Sequence, residues 1–187
     1  GSITSDRSAT FKFRYTENFS ITNYSGATLQ SGTVSAANGD FVLDLSYGEN
    51  ITIDNGGTIT SGKRYAIGCD ECEDLTMDNS GTIEGTADVV YIRNMTGTNS
   101  ITNSGTIKNT SGGRPIQAKG STGLTITNTG TIESATQVAI DFDDSPNPTL
   151  INRGTIKSTV NQAKVIDFPQ TAGTGTGGTL ENHGTII

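Results

Sequence analysis

The chain has 187 residues, a net charge of -7 and a pI near 4.6, with its 12 Lys and Arg residues scattered through the sequence. Without a basic stripe to neutralise phosphates, nucleic acid is excluded as a partner. A content of 32% hydrophobic and 6% aromatic residues is thin for a compact core, so the apolar residues must be used economically.

The opening Gly1-Ser2 reads as a cloning scar in place of a signal peptide, and no run of eighteen apolar residues is present. The chain is therefore expected to be an excised piece of a longer protein. Residues 1–18 are predicted to be this scar plus an N-terminal capping segment. Within it, Thr10-Phe11-Lys12-Phe13-Arg14-Tyr15-Thr16 alternates apolar and polar. It is expected to cover the first coil of the repeat that begins at residue 19, whose open edge would otherwise recruit other chains.

From residue 19 to 187 one phrase recurs. It reads Asn55-Gly56-Gly57-Thr58-Ile59, Asn79-Ser80-Gly81-Thr82-Ile83, Asn103-Ser104-Gly105-Thr106-Ile107, Asn128-Thr129-Gly130-Thr131-Ile132, Asn152-Arg153-Gly154-Thr155-Ile156 and Asn182-His183-Gly184-Thr185-Ile186. Successive asparagines lie 24, 24, 25, 24 and 30 residues apart, and a looser version begins at Asn23, 32 residues before Asn55. A phrase returning at this interval is the signature of a stacked solenoid. Each coil buries its inward side chains against the coils on either side, so little aromatic bulk is needed.

Aligned on the Asn, the coils become columns. Ile21, Ile53, Met77, Ile101, Ile126, Leu150 and Leu180 stand two residues before it; Phe19, Ile51, Leu75, Asn99, Leu124, Pro148 and Gly178 stand four before. Polar residues between them give the period of two of a strand with one buried face. The Asn either points inward to form a ladder of amides or binds its own backbone as an ordinary turn residue. Gly57, Gly81, Gly105, Gly130, Gly154 and Gly184 sit where the chain turns, and are expected there for their access to left-handed conformations. A second strand begins at the Thr, with the following Ile inward and Thr60, Glu84, Lys108, Glu133 and Lys157 outward. In parallel register these charges alternate in sign along the surface.

A third strand recurs at Phe41-Val42-Leu43-Asp44-Leu45, Tyr65-Ala66-Ile67, Val89-Val90-Tyr91-Ile92, Pro115-Ile116-Gln117-Ala118, Val138-Ala139-Ile140-Asp141-Phe142 and Lys164-Val165-Ile166-Asp167-Phe168. The predicted fold is therefore all-β: a right-handed parallel β-helix with three short strands per coil of about 24 residues and about seven coils, truncated at its C-terminal end. Long loops are expected near 30–40 and 158–177. The Gly/Thr run from Thr171 to Gly178 reads as a mobile insertion between rungs.

Cys69 and Cys72 are the only cysteines. Three readings fit them: a local disulfide of a secreted protein, free thiols, or a redox or metal site. Asp141, Asp143 and Asp144, one coil from Asp167, could bind Ca²⁺ through oxygen ligands, act as an acid and base pair, or form a solvated acidic turn before Pro146. No other cofactor is expected. The lone His183 occupies the variable slot of its turn and reads as an exposed residue. No nucleophile-with-base arrangement, phosphate loop or dinucleotide fingerprint is present, and the chain is not expected to be an enzyme.

The phrases Ile101-Thr102-Asn103-Ser104-Gly105-Thr106-Ile107 and Ile126-Thr127-Asn128-Thr129-Gly130-Thr131-Ile132 resemble the passenger regions of Gram-negative autotransporters, from about residue 19 onward. The resemblance implies export, exposure on the cell surface outside the Gram-negative outer membrane or secretion, and tethering by a barrel outside this chain. It implies no functional residue, since the shared motif is structural. The expected role is a rigid stalk and binding module of a surface adhesin, engaging a host-surface or matrix ligand or like chains. The alternatives are a polysaccharide lyase or hydrolase, or a glycan-binding fragment like a phage tailspike. If one face binds, the loops after the third strand are the candidates, because they vary where core columns do not. They contribute Asp70, Glu71, Arg93, Lys119, Asp143 and Asp144.

Overall fold

A computed structural model describes residues 1–5, 11–31, 41–159, 164–169 and 177–187. All regular elements in these segments are short β-strands, arranged in three parallel sheets that the chain visits in rotation. The first sheet has eight strands, from Ser2–Ser5 and Thr28–Ser31 through Thr106–Asn109 to Thr185–Ile186. The second has seven, from Phe11–Lys12 and Phe41–Asp44 through Val90–Arg93 to Ile166–Asp167. The third, also seven, runs from Glu17–Asn23 and Glu49–Asn55 through Asn99–Asn103 to Thr179–Asn182. This is the parallel β-solenoid that the 24-residue period requires.

Register follows the predicted columns. Ile83 pairs with Ile59 and Ile107, Ile101 with Met77 and Ile126, and Asn103 with Asn79 and Asn128. The inward isoleucines from Ile51 to Ile156 are buried completely or nearly so, and each fully buried aliphatic side chain contributes about 1.5–3 kcal/mol relative to exposure. Asn99 falls in an otherwise aliphatic inward column. It is accommodated because its Oδ1 accepts from Leu75 N at 3.0 Å and its Nδ2 donates to Thr96 O and Thr122 O, both at 2.9 Å.

The asparagines form the inward ladder. Nδ2 of Asn23, Asn55, Asn79, Asn103, Asn128 and Asn152 each donates to Oδ1 of the next Asn, the last being Asn182, at 2.7–2.9 Å. The buried amides of the ladder are thereby satisfied by their counterparts in adjacent coils, as burial demands.

The glycines two residues later differ from expectation. The left-handed residues of the chain do not include Gly57, Gly81, Gly105, Gly130, Gly154 or Gly184. Glycine is required there by coil spacing: a Cβ on Gly105 would lie 2.1 Å from Gly81 O, and one on Gly130 would lie 2.1 Å from Gly105 O. Only a missing side chain lets consecutive turns nest at strand separation.

The outward charges follow the predicted register, Glu84 opposite Lys108, Lys108 opposite Glu133 and Glu133 opposite Lys157. Glu133 and Lys157 approach to 3.2 Å. At the N-terminal end, Ser2–Ser5 pairs in parallel with Thr28–Ser31, and Phe11–Lys12 with Phe41–Asp44. Phe11–Lys12, expected as part of a cap, forms the first rung of the second sheet. The insertion predicted from Thr171 lies outside the described residues, apart from its end at Gly177 and Gly178.

Candidate functional site

The three core columns repeat from coil to coil, so a site must come from what varies. Side chains vary in this way at the corner between the second and third sheets. There the chain makes the same four-residue turn in six successive coils, bounded on each side by a residue with positive φ. The first of these are Tyr15, Tyr47, Glu71, Asn94, Gly120 and Asp144; the second are Asn18, Asn50, Asp74, Gly97, Gly123 and Asn147. Between them a side chain turns into the core, as Cys72, Met95, Ser121 and Ser145 do. A positive φ suits Gly, Asn and Asp and disfavours bulky residues, so Tyr15, Tyr47 and Glu71 are the exceptions.

The residues predicted as a binding face all fall on this corner. Asp70, Arg93 and Lys119 occupy one column of the second sheet, since Arg93 pairs with both of the others. Glu71 and Asp144 stand in the neighbouring column of left-handed residues. The charges are largely used among themselves. Arg93 Nε donates to Asp70 Oδ1 at 2.8 Å, and the carboxylate beside it raises the guanidinium's affinity for its proton. Lys119 Nζ donates to Asp143 Oδ2 at 2.6 Å and lies 3.8 Å from Asp144 Oδ2; Asp143 likewise pushes the Lys119 pKa up.

Of the readings open to Asp141, Asp143 and Asp144, calcium binding is not the one this geometry favours. Among the described residues no group of three or more His, Cys, Asp or Glu side chains is placed to hold a metal ion. The reason lies one coil below, where Arg114 Nε stands 2.9 Å from Asp141 Oδ2 and Lys119 engages Asp143. Asp141 Oδ1 also accepts from Asp143 N at 3.1 Å. These carboxylates line a depression of about 230 Å³ with Lys164, Asp167, Phe168 and Pro169. Burial raises the pKa of Asp141, and Arg114 opposes that rise.

Cys69 and Cys72 are joined by a disulfide that spans the start of the corner in its coil, with Cα atoms 5.8 Å apart. Both are buried. His183 is exposed, with Nε2 2.9 Å from Glu181 Oε1.

Sequence reasoning missed the same corner in the first two coils. There Tyr15 and Tyr47 stack with ring centroids 4.8 Å apart and planes 5° from parallel, and they are 74% and 38% exposed. Glu17 pairs in register with Glu49, and Asn50 Nδ2 donates to Asn18 Oδ1 at 3.3 Å. The signal was present as the spacing of 32 from Tyr15 to Tyr47, equal to that from Asn23 to Asn55. A different ring stack, Phe41, Tyr65 and Tyr91, climbs the second sheet at centroid spacings of 4.9 and 4.6 Å. The middle ring of that stack has a neighbour on each side, so the stack braces the sheet.

Comparison of the chain with protein-family models, curated sequences and solved structures finds no match. The functional reading therefore rests on the corner itself.

Proposed function

We propose that this chain is a rigid stalk and binding module of an autotransporter-like surface adhesin, and that the corner between the second and third sheets is its contact face. The observation that carries the reading is the contrast along the rod. One turn geometry recurs six times at that corner, while the residues displayed on it change from Tyr to Glu, Asn, Gly and Asp. A scaffold that holds geometry constant and varies side chains suits recognition. On a face built by repetition, affinity arises from many shallow contacts more than from an enclosed pocket.

Binding is favoured over catalysis because the best-placed acids are committed to cations. Asp141 faces Arg114 and Asp143 faces Lys119, which suits a structural pair better than an acid and base held for substrate. The autotransporter character rests on the Ile-Thr-Asn-x-Gly-Thr-Ile phrase and the solenoid it builds. It carries with it display outside a Gram-negative outer membrane.

Beads coated with the purified protein should adhere to host cells or to extracellular matrix, and free protein should compete them off. Sedimentation across a concentration series separates this from association between like chains. Beads that adhere no better than albumin-coated ones, together with a concentration-independent monomer, would overturn the reading.

A further inference from the structure

We infer that the stacked pair Tyr15–Tyr47, with the amides and carboxylates of the turns that carry it, is a binding site for an uncharged glycan. This rests on the proposed role as a binding module and names the ligand class and the place where it is engaged.

Tyrosine is costly to the backbone at both positions. Tyr15 has φ 59° and Tyr47 φ 64°, a conformation unfavourable for a large side chain. The four later coils make the same turn with Glu71, Asn94, Gly120 and Asp144, so tyrosine is not needed to form it. Two consecutive coils nevertheless place a tyrosine there and direct its ring into solvent. Strain retained where the fold does not require it points to use.

The rings are also ordered in advance. Nearly parallel and 4.8 Å apart, they hold each other, so binding loses little further side-chain freedom. Around them the same two turns display polar groups of two kinds. Glu17, Asn18, Glu49 and Asn50 are all exposed, and Glu17 stands opposite Glu49. A sugar has an apolar face of C–H groups that packs on an aromatic ring, and hydroxyls that donate to carboxylates and exchange hydrogen bonds with amides. Two carboxylates at the rim accept such donors and repel uronate or sulfate groups, which selects a neutral chain bearing hydroxyl or acetamido substituents.

Size argues against a protein partner. Stable protein interfaces bury roughly 1,200–2,000 Å² around an apolar centre, whereas the exposed large hydrophobic residues at this corner are Tyr15 and Tyr47 alone among the described residues. Each ring covers one face of the other, so the more exposed Tyr15 offers the open face, which matches one sugar unit.

The test uses the Tyr15→Asn, Tyr47→Asn double variant. Asn tolerates positive φ and already serves at Asn94 in the fourth coil, so the fold is kept, as matching circular dichroism and melting would verify. Retention is measured on immobilised neutral glucan, N-acetylhexosamine and uronate oligosaccharides. With 5 Tyr and no Trp in the chain, tyrosine emission provides an independent titration signal. The expected result is retention on a neutral or acetamido oligosaccharide, weakened about tenfold or more in the variant, and none on uronates. Neutral-glycan binding that ignores the variant would overturn this site while leaving the binding-module reading intact. Bead adherence that is lost in the variant without any glycan retention would identify a protein partner and overturn the ligand class. Neither retention nor adherence would overturn both.

Discussion

Asn103 Nδ2 donates to Asn128 Oδ1 at 2.8 Å and to Thr131 O at 3.1 Å, while Asn103 Oδ1 accepts from Asn79. One side chain thus links three coils. Asn103→Ala should strand the Asn128 acceptor and weaken the Asn79 donor in a buried column, costing about 2–4 kcal/mol. Asn182→Ala removes an exposed terminal member and should cost no more than about 1 kcal/mol. Denaturant melts of the two variants check the contrast; equal losses would show that the ladder is not the source.

The glycine column gives a sharper test because its cause is purely steric. Gly105→Ala would place a Cβ 2.1 Å from Gly81 O and 2.7 Å from Ser80 O. Backbone cannot yield without parting two coils, so a loss of about 3 kcal/mol or more is expected. Gly112→Ala meets nothing within 4 Å and should change stability by less than about 0.5 kcal/mol. If left-handed conformation were the reason for Gly105, substitution by Asn would be tolerated; the structure expects Gly105→Asn to be at least as damaging as Ala.

Most of the fold was legible because its columns repeat in step. A residue such as Ile83 has the same neighbours, Ile59 and Ile107, in every alignment that respects the 24-residue period. The corner was only partly legible, because its defining property is a backbone angle that Glu71, Asn94, Gly120 and Asp144 reach with unlike side chains. Spacings of 32, 24, 23, 26 and 24 between successive members, from Tyr15 to Asp144, blurred the column further. The acids at 141–144 stayed open in sequence between a ligand set, an acid and base pair and a solvated turn, because Arg114 and Lys119, their partners, come from the previous coil. The role of Gly105 was misread for a related reason: its constraint comes from Gly81, a coil away.

The Cys69–Cys72 bridge closes a very short loop, so its effect on the unfolded chain is small. Chain-entropy arithmetic for about four residues gives roughly 2 kcal/mol. The corner keeps its geometry in coils without cysteine, as at Asn94 to Gly97 and Gly120 to Gly123. Cys69→Ala, Cys72→Ala is therefore expected to remain folded, with a midpoint lowered by an amount matching that figure. The same shift should appear on addition of reductant to the wild type and be absent from the double variant. A protein that unfolds outright on reduction would show that the bridge, and not the stacked core, holds this corner.

Asp141 makes stability depend on pH in a direction opposite to an ordinary ion-paired carboxylate. Its pKa is raised above the usual 3.8, burial outweighing the opposing pull of Arg114. The folded state therefore holds this proton where the unfolded chain has released it, and unfolding releases it. By linkage, the contribution of Asp141 is most favourable below about pH 3.8 and is lost as pH rises through its higher folded value. Asp141→Asn cannot titrate, so the difference in unfolding free energy, wild type minus variant, should fall as pH rises from about 3.5 into the range above, then level off. A double cycle with Arg114→Met tests the cause: without the cation, burial acts unopposed and the fall should extend to higher pH. A difference that rises with pH across the same interval would mean that the Arg114 pair outweighs burial, and Asp141 would then be a stabilising anion of the second sheet.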